Sequence, residues 1–102
     1  MAYRFPTVRR SVRLCKDAEA ALREQKNMNG YINRAVYEYM RAYERKWLHE
    51  DWQPSEYIGQ KTSRPFNMLL REDLALKPAQ YGYTLSSIVN QAILWQSMRK
   101  TR

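Results

Sequence analysis

The sequence predicts a mainly α-helical domain with two short β-strands, arranged as two copies of the order strand, short helix, long helix. A chain of 102 residues allows one compact unit and not two independent cores. Alternating apolar and polar residues occur twice, which is typical of strands with one buried face. A helical pattern follows each time and contains the related stretches NMNGYINRAVYE and YTLSSIVNQAIL. We therefore expect one domain over 1–102, with copies at 8–49 and 64–102 joined by a connector at 50–63.

The first predicted strand lies in the stretch VRRSVRL, which begins at Val8. Its apolar side would be buried and carries Val8, Val12 and Leu14. Its other side would be exposed and carries Arg9, Ser11 and Arg13. Arg10 interrupts the apolar side near the open end of the strand. The pattern predicts a strand with one apolar face and one basic face.

Two helices are predicted after this strand. Asp17 is a suitable N-cap for a short helix that runs to about Lys26, and Asn27 can stop that helix and cap the next. The second helix would extend to about His49. Its apolar residues recur every three or four positions and predict one buried stripe: Ile32, Ala35, Val36, Tyr39, Met40 and Tyr43.

The second copy repeats this order. The strand RPFNMLL would bury one set of alternate residues: Phe66, Met68 and Leu70. It would expose Asn67 and Leu69 on its other side. A short helix is expected over 73–77, with Pro78 either at its end or at a kink because proline cannot donate the helical hydrogen bond. Thr84 is the expected N-cap of a last helix that buries Ile88, Val89, Ala92 and Ile93.

Composition narrows the classes of function. The net charge is +8, with basic excess in both halves of the chain, and such a field favours polyanions such as DNA, RNA or an anionic membrane. Cys15 and His49 are the only residues of their kinds, so an internal disulfide, a zinc site or His-assisted nucleophilic catalysis lacks the side chains it needs. We expect no enzyme activity and no cofactor. A single thiol and the lack of a long apolar run favour an intracellular, cytoplasmic protein without a membrane partner.

The stretches VRRSVRL with NMNGYINRAVYEYM, and RPFNMLL with YTLSSIVNQAI, resemble the ribbon-helix-helix family of DNA-binding proteins, the MetJ and Arc type. Members of that family are normally homodimers in which one strand from each subunit forms an antiparallel ribbon. The resemblance implies that this chain supplies both strands itself, as a tandem single-chain pseudo-dimer. It also implies a sequence-specific protein for double-stranded DNA, most simply a transcriptional regulator, whose ribbon enters the major groove.

The resemblance assigns roles to particular residues. Base contacts are expected from the outward side chains of the two strands: Arg9, Ser11, Arg13, Asn67 and Leu69. Pro65 lies at the entrance of the second strand. Phosphate contacts are expected from strand arginines and from the N-termini of the two long helices: Arg10, Asn27, Met28, Asn29, Arg64, Thr84, Leu85 and Ser86. Because the two strands carry different side chains, we expect an asymmetric DNA site.

Other functions remain open at this stage. As a tandem single-chain version of the family, the chain is similar to regulators of archaeal viruses, which act inside a host cell, or to accessory proteins of plasmid transfer. An architectural role at a transfer site would use the same chemistry. Several copies could associate along DNA. An antitoxin-like protein-interaction module is a rival from another class, although the sequence has no long acidic or apolar tail. RNA binding is less favoured, because the A-form major groove does not admit a ribbon.

Overall fold

The computed structural model describes residues 6–55 and 61–99, and the chain forms four α-helices and one two-stranded antiparallel sheet within them. In chain order the elements are β1 (Thr7–Cys15), α1 (Lys16–Arg23), α2 (Met28–Glu44), a 3-10 turn (Glu50–Trp52), β2 (Lys61–Arg71), α3 (Glu72–Gln80) and α4 (Leu85–Arg99). The predicted mainly helical class and the antiparallel pair of strands are confirmed. The chain ends at 1–5 and 100–102, and 56–60 of the predicted connector, lie outside the described residues.

The core lies between the inner face of the sheet and the long helices. The predicted inward residues Val12, Leu14, Met68 and Leu70 are almost fully buried. Val8 near the start of β1 and Phe66 in the middle of β2 are partly exposed. Both predicted apolar stripes are also buried, except that Tyr43 is only partly buried. They pack together in one cluster: Ile32, Ala35, Val36, Tyr39, Met40, Ile88, Val89, Ala92 and Ile93. Since α2 and α4 pack on each other and on the sheet, neither copy buries its apolar stripe alone.

Several predicted helix boundaries are wrong. Asp17 is not an N-cap: α1 begins at Lys16 directly after the strand, so Asp17 lies in the first turn, where its charge favours the helix dipole. The same helix ends at Arg23 and not near Lys26. In the second copy, β2 begins at Lys61, three residues before the expected boundary, and α3 extends over Glu72–Gln80, beyond the predicted 73–77. Pro78 lies in the last turn of α3, where its missing N–H removes one hydrogen bond near the helix end.

The end of α2 also differs from the prediction, because the helix stops at Glu44 and not at His49. Lys46 adopts a left-handed conformation with φ of 62°. The Trp47 N–H donates to the Ala42 carbonyl at 2.8 Å, and the Lys46 N–H donates to Tyr43 at 3.1 Å. This pair of bonds is a Schellman motif, which satisfies the last carbonyls of a helix and turns the chain away.

No helix in 6–55 or 61–99 is long and apolar enough to cross a membrane. Across the same residues, His, Cys, Asp and Glu side chains form no group of three or more that could hold a metal ion.

Candidate nucleic-acid interface

The outward side of the sheet presents the side chains for which base contacts are expected. In the antiparallel register, Arg9 pairs with Leu69, Ser11 with Asn67, and Arg13 with Pro65. We call these six exposed residues the ribbon face. Because alternate residues of a strand point to the same side, the six side chains share one surface. All five residues for which base contacts were predicted therefore lie together, and Pro65 joins them.

The centre and the ends of the ribbon face differ in chemistry. At the centre, the Ser11 hydroxyl donates a hydrogen bond to the Asn67 side-chain oxygen. At each end, an arginine of β1 lies across from an apolar residue of β2, Leu69 at one end and Pro65 at the other. Both guanidinium groups of this face therefore belong to the same strand.

The three arginines of β1 are not balanced by nearby acid, whereas Arg71 at the end of β2 pairs with Asp73. Together β1 and β2 contain six Arg or Lys residues and no Asp or Glu. Among the described residues, no carboxylate is within ion-pair distance of Arg9, Arg10 or Arg13. In contrast, helical Arg23 and Arg34 each pair with a glutamate one turn away. Exposed cations without acidic neighbours favour an anionic partner at this surface.

The N-termini of the two long helices are capped as predicted. The Asn27 side chain accepts a hydrogen bond from the Gly30 N–H at 2.9 Å, and the Thr84 hydroxyl accepts one from the Ser87 N–H at 3.2 Å. Backbone N–H groups of a first helical turn, together with the helix dipole, favour an anion. Met28 and Leu85 are partly buried against the core, so any phosphate contact there would involve their backbone N–H groups.

Each helix N-terminus is held beside the ribbon by its own side chain. The Asn29 side-chain oxygen accepts a hydrogen bond from the Leu69 N–H at 3.1 Å. At the other end, the Ser86 hydroxyl donates to the Arg13 carbonyl at 3.4 Å. The two helix starts therefore lie next to opposite strands, α2 beside β2 and α4 beside β1.

The two remaining residues for which phosphate contacts are expected also lie on the strands. Arg10 is exposed, and its guanidinium donates to the Arg9 carbonyl at 2.9 Å. Arg64 is exposed on β2, next to Pro65 of the ribbon face. The strands and the two helix starts thus hold all thirteen residues for which DNA contacts are predicted.

Two asparagines that were not assigned a role fix the strands in place. The Asn90 side-chain oxygen accepts from the Cys15 N–H at 2.6 Å, and its amide donates to the Arg13 carbonyl at 3.0 Å. Asn33 makes the corresponding bonds to β2: its oxygen accepts from the Arg71 N–H at 2.8 Å, and its amide donates to the Leu69 carbonyl at 2.9 Å. Each long helix thus binds the strand of the other copy.

A signal for these asparagines was present in the sequence. Asn33 and Asn90 occupy matching places in the repeated stretches INRA and VNQA, within otherwise apolar stripes. A polar residue kept at the same place in two buried helices indicates a hydrogen bond that both copies need.

Comparison of the sequence with protein-family models, with curated proteins and with solved structures found no match.

Proposed function

We propose that the protein binds double-stranded DNA by inserting the β1–β2 ribbon into the major groove, as a tandem ribbon-helix-helix pseudo-dimer and most simply as a transcriptional regulator. The observation that carries the proposal is the ribbon face, where arginine and amide side chains project together from a surface without acidic residues. A two-stranded ribbon fits the major groove of B-DNA, which is about 12 Å wide.

The outward side chains have the chemistry for reading bases. Arginine can bind guanine O6 and N7 with two hydrogen bonds, and asparagine can pair with adenine in the same way. Leu69 is 39% exposed, and an aliphatic side chain can contact the methyl group of thymine. The Ser11–Asn67 hydrogen bond would have to open or rotate for Asn67 to use both of its amide atoms on a base.

The reciprocal bonds of Asn33 and Asn90 support the pseudo-dimer. In a symmetric dimer each subunit would brace the strand of the other, and here each copy braces the strand of its neighbour within one chain. The connection makes strand pairing intramolecular, so the ribbon forms without a second chain.

The helix starts support phosphate binding on both sides of the groove. Because α2 begins beside β2 and α4 begins beside β1, two anion-favouring helix ends flank the ribbon. Such contacts would set the orientation of the protein on DNA, and the ribbon face would choose the sequence.

The test compares two double variants that remove the same charge. Arg9→Ala with Arg13→Ala removes the guanidinium groups of the ribbon face. Arg41→Ala with Arg45→Ala removes two exposed arginines near the far end of α2. Arg41 lies about 20 Å along the helix axis from Met28. Affinity for a labelled mixed-sequence duplex is measured by fluorescence anisotropy at low and moderate salt.

We expect the ribbon variant to lose about tenfold or more in affinity and to show a shallower salt dependence, because a surface with two fewer positive charges displaces fewer counterions from the DNA. The control variant should change little. A duplex RNA of the same sequence should bind more weakly, since its major groove is too narrow for a ribbon. Equal losses in both variants, or no salt-dependent binding by the natural protein, would contradict the proposal.

A further inference from the structure

We infer that the preferred DNA site is not palindromic and carries two guanines on the same strand, about four base pairs apart. This inference rests on the proposed DNA binding and adds what the ribbon would select. Its basis is the strand register, which places the two arginines of the ribbon face on β1 and their cross-strand partners Leu69 and Pro65 on β2.

The spacing follows from strand geometry. Arg9 and Arg13 are four residues apart on β1, so their α-carbons are separated by about 13 Å at roughly 3.3 Å per residue. Base pairs of B-DNA follow one another at about 3.4 Å along the axis. The two guanidinium groups therefore reach bases about four pairs apart.

Both guanines are assigned to one DNA strand because both arginines project from the same strand of the ribbon. A ribbon that lies along the groove has one of its strands nearer to each DNA backbone. The helix starts agree with this arrangement, because α4 is held beside β1 through Ser86 and α2 beside β2 through Asn29. The O6 and N7 atoms of a guanine lie toward its own backbone, so two arginines on β1 meet guanines of the same DNA strand.

The matching positions of the two copies explain why a palindrome is not expected. When Val12 is aligned with Met68, as the burial pattern requires, Arg9 corresponds to Pro65 and Arg13 to Leu69. A palindrome needs the same side chain at corresponding positions, and here an arginine always corresponds to an apolar residue. Leu69 lies across from Arg9, so a thymine methyl is expected on the opposite DNA strand near the guanine that Arg9 binds.

The experiment selects bound duplexes from a random library, first with the natural protein and then with an exchange variant. The variant carries Arg9→Leu and Leu69→Arg, which moves one guanidinium directly across the ribbon. Composition and net charge do not change, and both side chains are exposed. Urea unfolding of the variant provides the control for stability.

The natural protein should enrich a motif with two guanines on one strand about four base pairs apart. The exchange variant has arginines at Arg13 and at position 69, which correspond between the copies. Its motif should therefore have one guanine on each strand. Replacing either guanine in the natural site should weaken binding by about tenfold to a hundredfold.

The outcomes separate the inference from the proposed function. A palindromic motif, or an exchange variant with an unchanged motif, would overturn the inference and leave DNA binding in place. Failure of the natural protein to enrich any sequence would overturn both sequence-specific binding and the inference. If the exchange variant is unstable, Arg9→Ala and Arg13→Ala replace it. Each should then lose discrimination at one guanine only, and loss at both or neither would overturn the inference.

Discussion

In each copy of the strand–helix–helix unit, an asparagine of the long helix makes the same two hydrogen bonds to a strand of the ribbon. The two asparagines differ in how deeply they are buried. Asn90 is 0% exposed and binds the end of β1 inside the core, next to buried Cys15. Asn33 is half-buried and binds the end of β2 near the surface, next to Arg71. The end of β1 is thus held by a hydrogen bond inside the core. The end of β2 is held by a hydrogen bond near the surface, beside an arginine that water can reach.

The two strands also differ in the side chains that they contribute to the ribbon face. The strand with the buried end, β1, carries Arg9 and Arg13, whereas β2 carries Pro65 and Leu69. The two arginines therefore project from the strand whose backbone is bound to the core through Asn90. The strand whose end is bound inside the core thus also carries both arginines of the ribbon face.

The largest expected effect is on stability, from Asn90→Ala. The variant leaves the Cys15 N–H without its partner in a buried place and removes one of the two hydrogen bonds to the Arg13 carbonyl. A buried polar group without a bond costs about 1–3 kcal/mol. We expect a loss of roughly 3 kcal/mol in the free energy of unfolding. Urea unfolding followed by circular dichroism measures it.

Asn33→Ala is the matched control for that variant. It removes the corresponding bonds to Arg71 and Leu69, but water can replace them at a half-buried position. A loss of about 1 kcal/mol is expected. Equal losses in the two variants would show that burial does not distinguish the copies.

The next effect is on DNA affinity, from substitutions at the corresponding positions Arg13 and Leu69. Arg13→Ala should weaken binding to a selected duplex by about 1–3 kcal/mol, because a bidentate contact to guanine is lost. Leu69→Ala removes only an apolar contact, and a loss below about 1 kcal/mol is expected. Gel shifts or anisotropy with the same duplex compare the two. A larger loss for Leu69→Ala would reverse the assigned roles of the strands.

Much of the fold could be predicted from the sequence because the deciding contacts are local or periodic. One-sided burial of a strand imposes a period of two, which identified the inward residues Val12 and Met68 and the outward residues Arg13 and Asn67. Asn27 and Thr84 cap helices through hydrogen bonds to groups only three residues away. The residue type and its position in the sequence were therefore enough to predict both caps.

The rest depends on contacts between distant residues. Asn90 binds groups that are 75 and 77 residues away, and no local pattern shows which backbone atoms will lie beside it. The pairing of Arg9 with Leu69 likewise follows from the strand register, which the whole core determines. The early end of α2 was missed for another reason, because Lys46 takes the left-handed position where a glycine is usual.

The ends of helices α2 and α3 differ in the residue that adopts the left-handed conformation. Both α2 and α3 end in Schellman motifs, with Lys46 at φ of 62° after α2 and Gly82 at φ of 83° after α3. A side chain in the left-handed region costs about 1 kcal/mol. Lys46→Gly should therefore raise the free energy of unfolding by up to about 1 kcal/mol, and Gly82→Ala should lower it by a similar amount.

Thermal or urea unfolding of the two variants measures these changes. Among the residues that the structure describes, no atom outside the chain neighbours of Gly82 lies within 4 Å of a Cβ placed there. The expected cost is therefore backbone strain. A higher free energy of unfolding in Gly82→Ala, or a lower one in Lys46→Gly, would contradict this explanation of the helix ends.

The smallest expected effect concerns an ion pair that only the second copy has. Arg71 binds Asp73 through two hydrogen bonds of 3.1 and 2.7 Å, which together with its charge lower the pKa of that carboxyl. Asp73 is about half exposed, so solvent limits the contribution to roughly 0.5 kcal/mol. A lowered pKa means that the stabilisation is present at neutral pH and disappears as the pH falls through that pKa.

Asp73→Asn should accordingly lower stability by about 0.5 kcal/mol near pH 7, and the difference from the natural protein should vanish in acid. Asp17→Asn is the matched control, because Asp17 holds the corresponding place in the first turn of α1, where buried Cys15 stands in the position of Arg71. Asp17 interacts favourably with the helix dipole, as Asp73 does, but has no arginine beside it. The loss of stability in Asp17→Asn should therefore be smaller. Equal losses would assign the effect to the dipole, and the ion pair would then contribute nothing to the difference between the two copies.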